Sequence, residues 1–283
     1  GIKERRILKP TSLGTSYMAI KAAQNLIYKK SIDPAQIDLV IVATATPDMP
    51  VSSTASYVAT EIGAIDAFAY DLQGACSGFL FGMSAAAAHI ITGRYNKVLL
   101  IGADTMSSII NYSDRSTCVI FGDGAGAVLF EPNNKGLGLQ DEVLRVDGKG
   151  RTYLKIEAGG SMLPASIHTV TEKKHLLHQD GRPVFKFAVS NMGNAINQVL
   201  ERNNLTRDDI DFVVAHQANK RILDAISNQL DLKPNQMLIN IERYGNTTAA
   251  TLPLLLWDYE HLLKKNQKLI FTAFGGGFTW GAS

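Results

Sequence analysis

The chain has 283 residues, of which 46% are apolar and 19% charged, and a net charge of +2. That balance excludes intrinsic disorder, and 24 Gly and 9 Pro without a period exclude collagen-like and low-complexity chains. The weak net field gives no reason to expect nucleic acid or a membrane as partner, and two cysteines cannot build a disulfide framework, so a cytoplasmic globular protein is expected.

In chain order, residues 17–28 have an amphipathic helical pattern and residues 39–43 form an apolar, β-branched run of strand length. Residues 67–72 read as a second strand. Residues 76–92 read as a helix rich in Ala and Gly, packed at the centre of the fold; the mainly apolar stretch within them, residues 79–92, falls short of the roughly 20 residues of a membrane span. Residues 98–101 form another buried strand. Phe121-Gly-Asp-Gly-Ala-Gly-Ala127 superficially resembles a dinucleotide fingerprint, but Val-Leu-Phe follows it, a strand where that fingerprint needs a helix. Residues 141–182 break the pattern with Gly, His and charge and read as an excursion. A helix over 187–202, a strand over 213–215, a helix from Lys220, a helix over 247–263 and a strand over 269–272 complete the chain. The lack of an initiator Met and the stop soon after a glycine cluster read as a piece of a longer protein.

Part of this order occurs twice. Ile37-Asp-Leu-Val-Ile-Val-Ala43 returns as Ile210-Asp-Phe-Val-Val-Ala-His216, about 170 residues later, and Lys97-Val-Leu-Leu-Ile-Gly returns as Lys268-Leu-Ile-Phe-Thr-Ala. The expectation is an α/β duplication, residues 1–138 and 139–283, with sheets stacked through shared central helices.

Cys76 lies where a strand passes into the central helix. Unpaired N–H groups and the helix dipole favour a thiolate there, whereas Cys118, inside Thr117-Cys-Val-Ile-Phe121, reads as a small structural residue. His216 follows a strand, at the sheet edge where α/β proteins gather ligands. His89 reads as a core residue, His168, His175 and His178 belong to the excursion, and His261 ends a polar helix. Asn246 is the repeat partner of Cys76 and again precedes a helix; Asn beside Gly is equally a turn or cap signal. If the duplication is real, Cys76, His216 and Asn246 converge from the two halves. The glycines of residues 274–278 allow backbone N–H groups to face a ligand, or simply make a turn. No cluster has zinc or calcium spacing.

Gly74-Ala-Cys-Ser-Gly78, Phe121-Gly-Asp-Gly-Ala-Gly126, His216-Gln-Ala-Asn219, Tyr244-Gly-Asn-Thr-Thr248 and Phe274-Gly-Gly-Gly-Phe-Thr-Trp-Gly281 occur in the order in which they occur in the β-ketoacyl-acyl carrier protein synthase III family, which the chain resembles throughout. The resemblance implies a thiolase-like fold, two duplicated halves packed as five alternating α/β layers, in a homodimer. It implies that Cys76 takes an acyl group from acetyl-CoA or another short acyl-CoA. Malonyl-acyl carrier protein then decarboxylates and condenses with that acyl group, initiating fatty acid biosynthesis without a cofactor. By the same resemblance His216 and Asn246 donate to the enolate, and the N–H groups of Cys76 and Gly276 form an oxyanion hole. Asn219 contacts pantetheine, Arg115 the CoA adenine and Arg221 the carrier protein, while Met49, Val51 and Phe121 shape the acyl pocket, the first two from the partner subunit. Asn228 and Gln229 stand where some members carry basic residues. Other readings keep the fold with a different acceptor, as in secondary metabolism, or see a papain-like hydrolase or a non-catalytic scaffold.

Overall fold

The computed structural model describes residues 1–283, the side chain of Thr11 aside. Its first part runs α1 (Gly14–Lys30), β1 (Leu39–Ala43), α2 (Thr54–Glu61), β2 (Phe68–Leu72), α3 (Gly78–Ile91), β3 (Val98–Asp104) and β4 (Gly124–Phe130). The second runs β5 (Val143–Val146), β6 (Leu154–Ile156), α4 (Ile167–Thr171), β7 (Leu177–Gln179), α5 (Gly181–Arg202), β8 (Phe212–Ala215), α6 (Lys220–Gln229), α7 (Ile241–Tyr244), α8 (Thr251–Tyr259), β9 (Leu269–Gly275) and β10 (Thr279–Ala282). One sheet has the order β2-β1-β3-β4 and the other β5-β10-β9-β8; in each, a parallel pair is followed by an antiparallel strand.

The layers follow from the alternation of side chains along each strand. Leu39, Ile41 and Ala43 of β1 enter the central core with Phe79, Leu80 and Met83 of α3 and Leu252 and Leu255 of α8. Val40 and Val42, pointing the other way, enter an outer core with Ala19 and Ala23 of α1 and Ala55 and Val58 of α2. On the second sheet Val214 joins the central core, while Val213 and Ala215 meet Ala188 and Met192 of α5 and Ile222 and Ile226 of α6. Helices, sheet, helices, sheet, helices make five layers, and strands apolar on both faces are what two covered faces require.

The two halves interlock through glycines. A Cβ at Gly102 would lie 2.4 Å from the Ala249 carbonyl, at Gly122 2.5 Å from the Tyr244 carbonyl, and at Gly126 2.7 Å from Cβ of Pro253. The motif at 121–127 is therefore a packing surface, and it seats residues 244–253 against β3 and β4.

The chain path departs from the sequence reading in two places. The excursion expected over 141–182 begins with β5, which pairs with β10 as the edge of the second sheet, and continues into the antiparallel pair β6–β7, with α4 between its strands, beside the site described next. The repeat is also shifted around Asn246. A 3₁₀ turn precedes each central helix, Ala75–Ser77 before α3 and Thr248–Ala250 before α8; Cys76 lies inside the first, Asn246 two residues before the second. The two residues therefore do not hold equivalent positions in the two turns.

Candidate active site

Cys76 is held on a strained turn. Ala75 before it has φ +47°, in the left-handed region that residues with a Cβ rarely occupy. The Ser77 N–H donates to the Gly74 carbonyl at 3.0 Å, the Ser77 hydroxyl donates to the Thr279 carbonyl at 3.1 Å, and the Thr279 hydroxyl donates to the Gly74 carbonyl at 3.1 Å. Thus β10 of the second half grips the turn of the first. Gly275 lies so close that a Cβ there would sit 2.8 Å from the Cys76 nitrogen. The thiol is 6% exposed. Burial, and then the charge of Asp104, push it up to about 12, although its own N–H favours the thiolate. This reverses the expectation of a thiolate in the free site: desolvation outweighs the helix terminus.

His216 follows β8, its N–H donating to the Thr272 carbonyl at 2.8 Å and so extending the parallel ladder. The ring is buried, which pushes it down to about 3, so the imidazole is neutral. Nδ1 lies 2.7 Å from the Thr251 hydroxyl, while Nε2 is buried without a hydrogen-bond partner. Asn246 is tied across the halves, donating its N–H to the Ile120 carbonyl at 2.9 Å and accepting from the Gly122 N–H at 3.0 Å. Its Oδ1 accepts the Thr248 N–H at 2.9 Å. That bond orients the amide and leaves the Nδ2 hydrogens free to donate.

These three side chains line one cavity of about 670 Å³, together with Phe121, Asn219 and Arg221. Asn219 also caps α6, its Oδ1 accepting the Arg221 N–H at 3.0 Å. The cavity does not include Arg115, which is exposed beside lining residue Ser116, or Gly276, which follows β9. Met49 and Val51 are also outside it, on the surface, Val51 with φ +78°. Cys118 packs beside the small cluster of Met106, Ile110 and Phe121, as a structural residue does.

Sequence reasoning missed the wall contributed by Leu154, Gln179, Arg182, Phe185 and Met192. Pro183, a residue favoured in first turns, marks the start of α5 and was the signal available for placing Arg182 at the cavity. Among the described residues, no three His, Cys, Asp or Glu side chains group so as to hold a metal ion, and no helix is long and apolar enough to cross a membrane.

Residues 70–148 match the family described as 3-oxoacyl-[acyl-carrier-protein (ACP)] synthase III, and residues 200–283 match its C-terminal part. A β-ketoacyl-[acyl-carrier-protein] synthase III of Bacteroides thetaiotaomicron is 55% identical over 282 residues, covering 100% of this chain and 84% of the relative. Its counterpart from Phocaeicola vulgatus is 54% identical over the same shares. The crystal structure of the Thermus thermophilus synthase III superposes with a TM-score of 0.92 at 38% identity, covering 100% of this chain and 87% of that one. With its layered halves and one cavity joining Cys, His and Asn, the chain belongs to the β-ketoacyl-[acyl-carrier-protein] synthase III family, thiolase-fold acyltransferases that perform the initiating condensation of fatty acid biosynthesis.

Proposed function

We propose that Cys76 accepts the acyl group of a short acyl-CoA, with acetyl-CoA as primer, and passes it to malonyl-acyl carrier protein. The sulfur attacks the thioester carbonyl, the C–S bond to CoA breaks, and CoA leaves as a thiol carrying the Cys76 proton. The malonyl C–C bond to the carboxylate then breaks, carbon dioxide leaves, and the electron pair becomes an enolate whose oxygen needs donors. The enolate carbon attacks the acyl-Cys76 carbonyl, the C–S bond to Cys76 breaks, and the departing sulfur takes up a proton from solvent to restore the thiol.

The observation that carries this reading is the pair of nitrogens, His216 Nε2 and Asn246 Nδ2, left without protein partners beside the same cavity as Cys76. A neutral imidazole and an amide can hold an enolate oxygen without giving up a proton to it. The N–H groups of Cys76 and Gly276 would hold the tetrahedral oxyanion, a role supported by the close approach of Gly275 to the Cys76 nitrogen. Asn219 and Arg221 at the cavity suit the pantetheine arm and the carrier protein. Arg115 is assigned to the adenine, Phe121 to the acyl pocket, and Met49 and Val51 to the partner's pocket in a homodimer. Relatives named for a carrier-protein synthase lend the alternative acceptor less support.

Incubation with acetyl-CoA is expected to add one acetyl group to the peptide containing Cys76, read by mass spectrometry. An unmodified enzyme that is demonstrably folded, or acetylation confined to Cys118, contradicts the assignment.

A further inference from the structure

The turn that carries Asn246 also reaches His216. Thr248, with φ +55°, takes up the Asn246 oxygen with its N–H, so the amide presents its nitrogen to the cavity. One helical turn later the Thr251 hydroxyl stands between His216 Nδ1 at 2.7 Å, a donor or an acceptor according to the tautomer, and the Thr248 carbonyl, an acceptor at 3.0 Å. A hydroxyl has one proton, so it donates to only one of them. The Thr248 carbonyl already receives the Thr251 backbone N–H. Nδ1 has the shorter contact, and the Thr248 carbonyl keeps a partner without the hydroxyl proton.

We propose that Thr251 is a positioning residue whose hydroxyl donates to Nδ1 and thereby fixes His216 as the Nε2–H tautomer. A neutral imidazole has a single N–H, and an acceptor Nδ1 places that hydrogen on Nε2. Turned the other way, the hydroxyl would accept from Nδ1–H, and Nε2 would present a lone pair that repels an enolate oxygen. The inference deepens the donor role of His216 and rests on it. One turn, 246–251, then sets both donors: a backbone N–H occupies the Asn246 oxygen and a side-chain O–H occupies the His216 lone pair.

Nitrogen-15 NMR of histidine-labelled enzyme reads the tautomer directly, with the His216→Gln spectrum identifying the signals. The wild-type enzyme is expected to show Nδ1 unprotonated and Nε2 protonated, and Thr251→Val to shift both signals toward the opposite tautomer. Thr251→Val is also expected to slow malonyl decarboxylation about tenfold or more, less than the loss of a whole donor, with acyl transfer to Cys76 nearly unchanged. Thr251→Ser, which keeps the hydroxyl, should stay within about threefold of wild type. A wild-type Nδ1 that carries the proton overturns the proposal whether or not the valine variant folds, and so does a folded valine variant with an unchanged spectrum. If His216→Ala leaves decarboxylation intact while the wild-type spectrum still places the proton on Nε2, the donor role fails and the tautomer assignment stands.

Discussion

Two strained turns lead into the two central helices, and they do different work. The turn before α3 has its left-handed residue, Ala75, next to Cys76 and presents a sulfur. The turn before α8 has its left-handed residue, Thr248, two positions after Asn246; it presents the Asn246 amide nitrogen and, through Thr251, meets the ring of His216, which follows β8. The first is held by atoms of the second half, through Thr279 and Gly275. The second is held by atoms of the first half, through Ile120 and Gly122. Each half thus positions the other's turn, and the difference between the turns is one of chemistry: a buried thiol against a buried neutral amide.

Asp104 belongs to both. Its Oδ1 accepts from Ala45, Thr44 and Thr46 in the first half, and its Oδ2 accepts the Ala249 N–H at 3.2 Å in the second. Its charge also contributes to the raised pKa of Cys76.

The comparison breaks most sharply at Cys76. Cys76→Ala should abolish primer transfer, about 10⁴-fold or more in steady-state condensation, yet leave malonyl decarboxylation measurable because the donors remain. If carbon dioxide release falls equally, the division of labour is wrong. Gly275→Ala pushes the first turn against its support. With a Cβ 2.8 Å from the Cys76 nitrogen, acyl transfer should fall about 10- to 100-fold while decarboxylation changes much less. Comparing single-turnover rates of the two half-reactions checks this.

The smallest effect sharpens the link between the turns. Burial pushes the Asp104 carboxyl up to about 6, against the bonds it accepts. The folded protein therefore keeps this proton to a higher pH than the unfolded chain, whose carboxyl titrates near pH 4. Stability is highest below that unfolded value and falls as pH rises through the folded one, by about 3 kcal/mol. Asp104→Asn should flatten this fall between about pH 4 and 6 in a series of thermal or denaturant midpoints. By removing a negative charge it should also make Cys76 alkylate a few-fold faster at pH 8. A slope identical to wild type counts against the buried carboxyl.

Much of this was legible in the residues. The paired runs at Leu39 and Phe212 became β1 and β8, each apolar on both faces, because periodicity and β-branching report burial directly. Cys76, His216 and Asn246 were legible because each follows a strand or precedes a central helix. What stayed hidden depends on distant contacts. Glycines 122 and 126 read only as a superficial dinucleotide fingerprint ahead of a strand, yet they are small because Tyr244 and Pro253 press on them. Cys76 read as an activated thiol because a helix start is local information, whereas the burial that raises its pKa involves the whole site. The partners of His216 and Asn246, Thr251 and Thr248, were equally invisible: a hydroxyl in a Thr-Thr-Ala-Ala-Thr stretch reads as an ordinary helix start.

The central claim is that one turn makes the acyl-enzyme and the other stabilises the enolate, and the two half-reactions measured separately in His216→Ala and Asn246→Ala test it most directly. Decarboxylation of malonyl-acyl carrier protein is expected to fall about 10²- to 10³-fold in each, with acetylation of Cys76 reduced less than about tenfold. Equal losses in both half-reactions, or intact decarboxylation in either variant, would contradict the account.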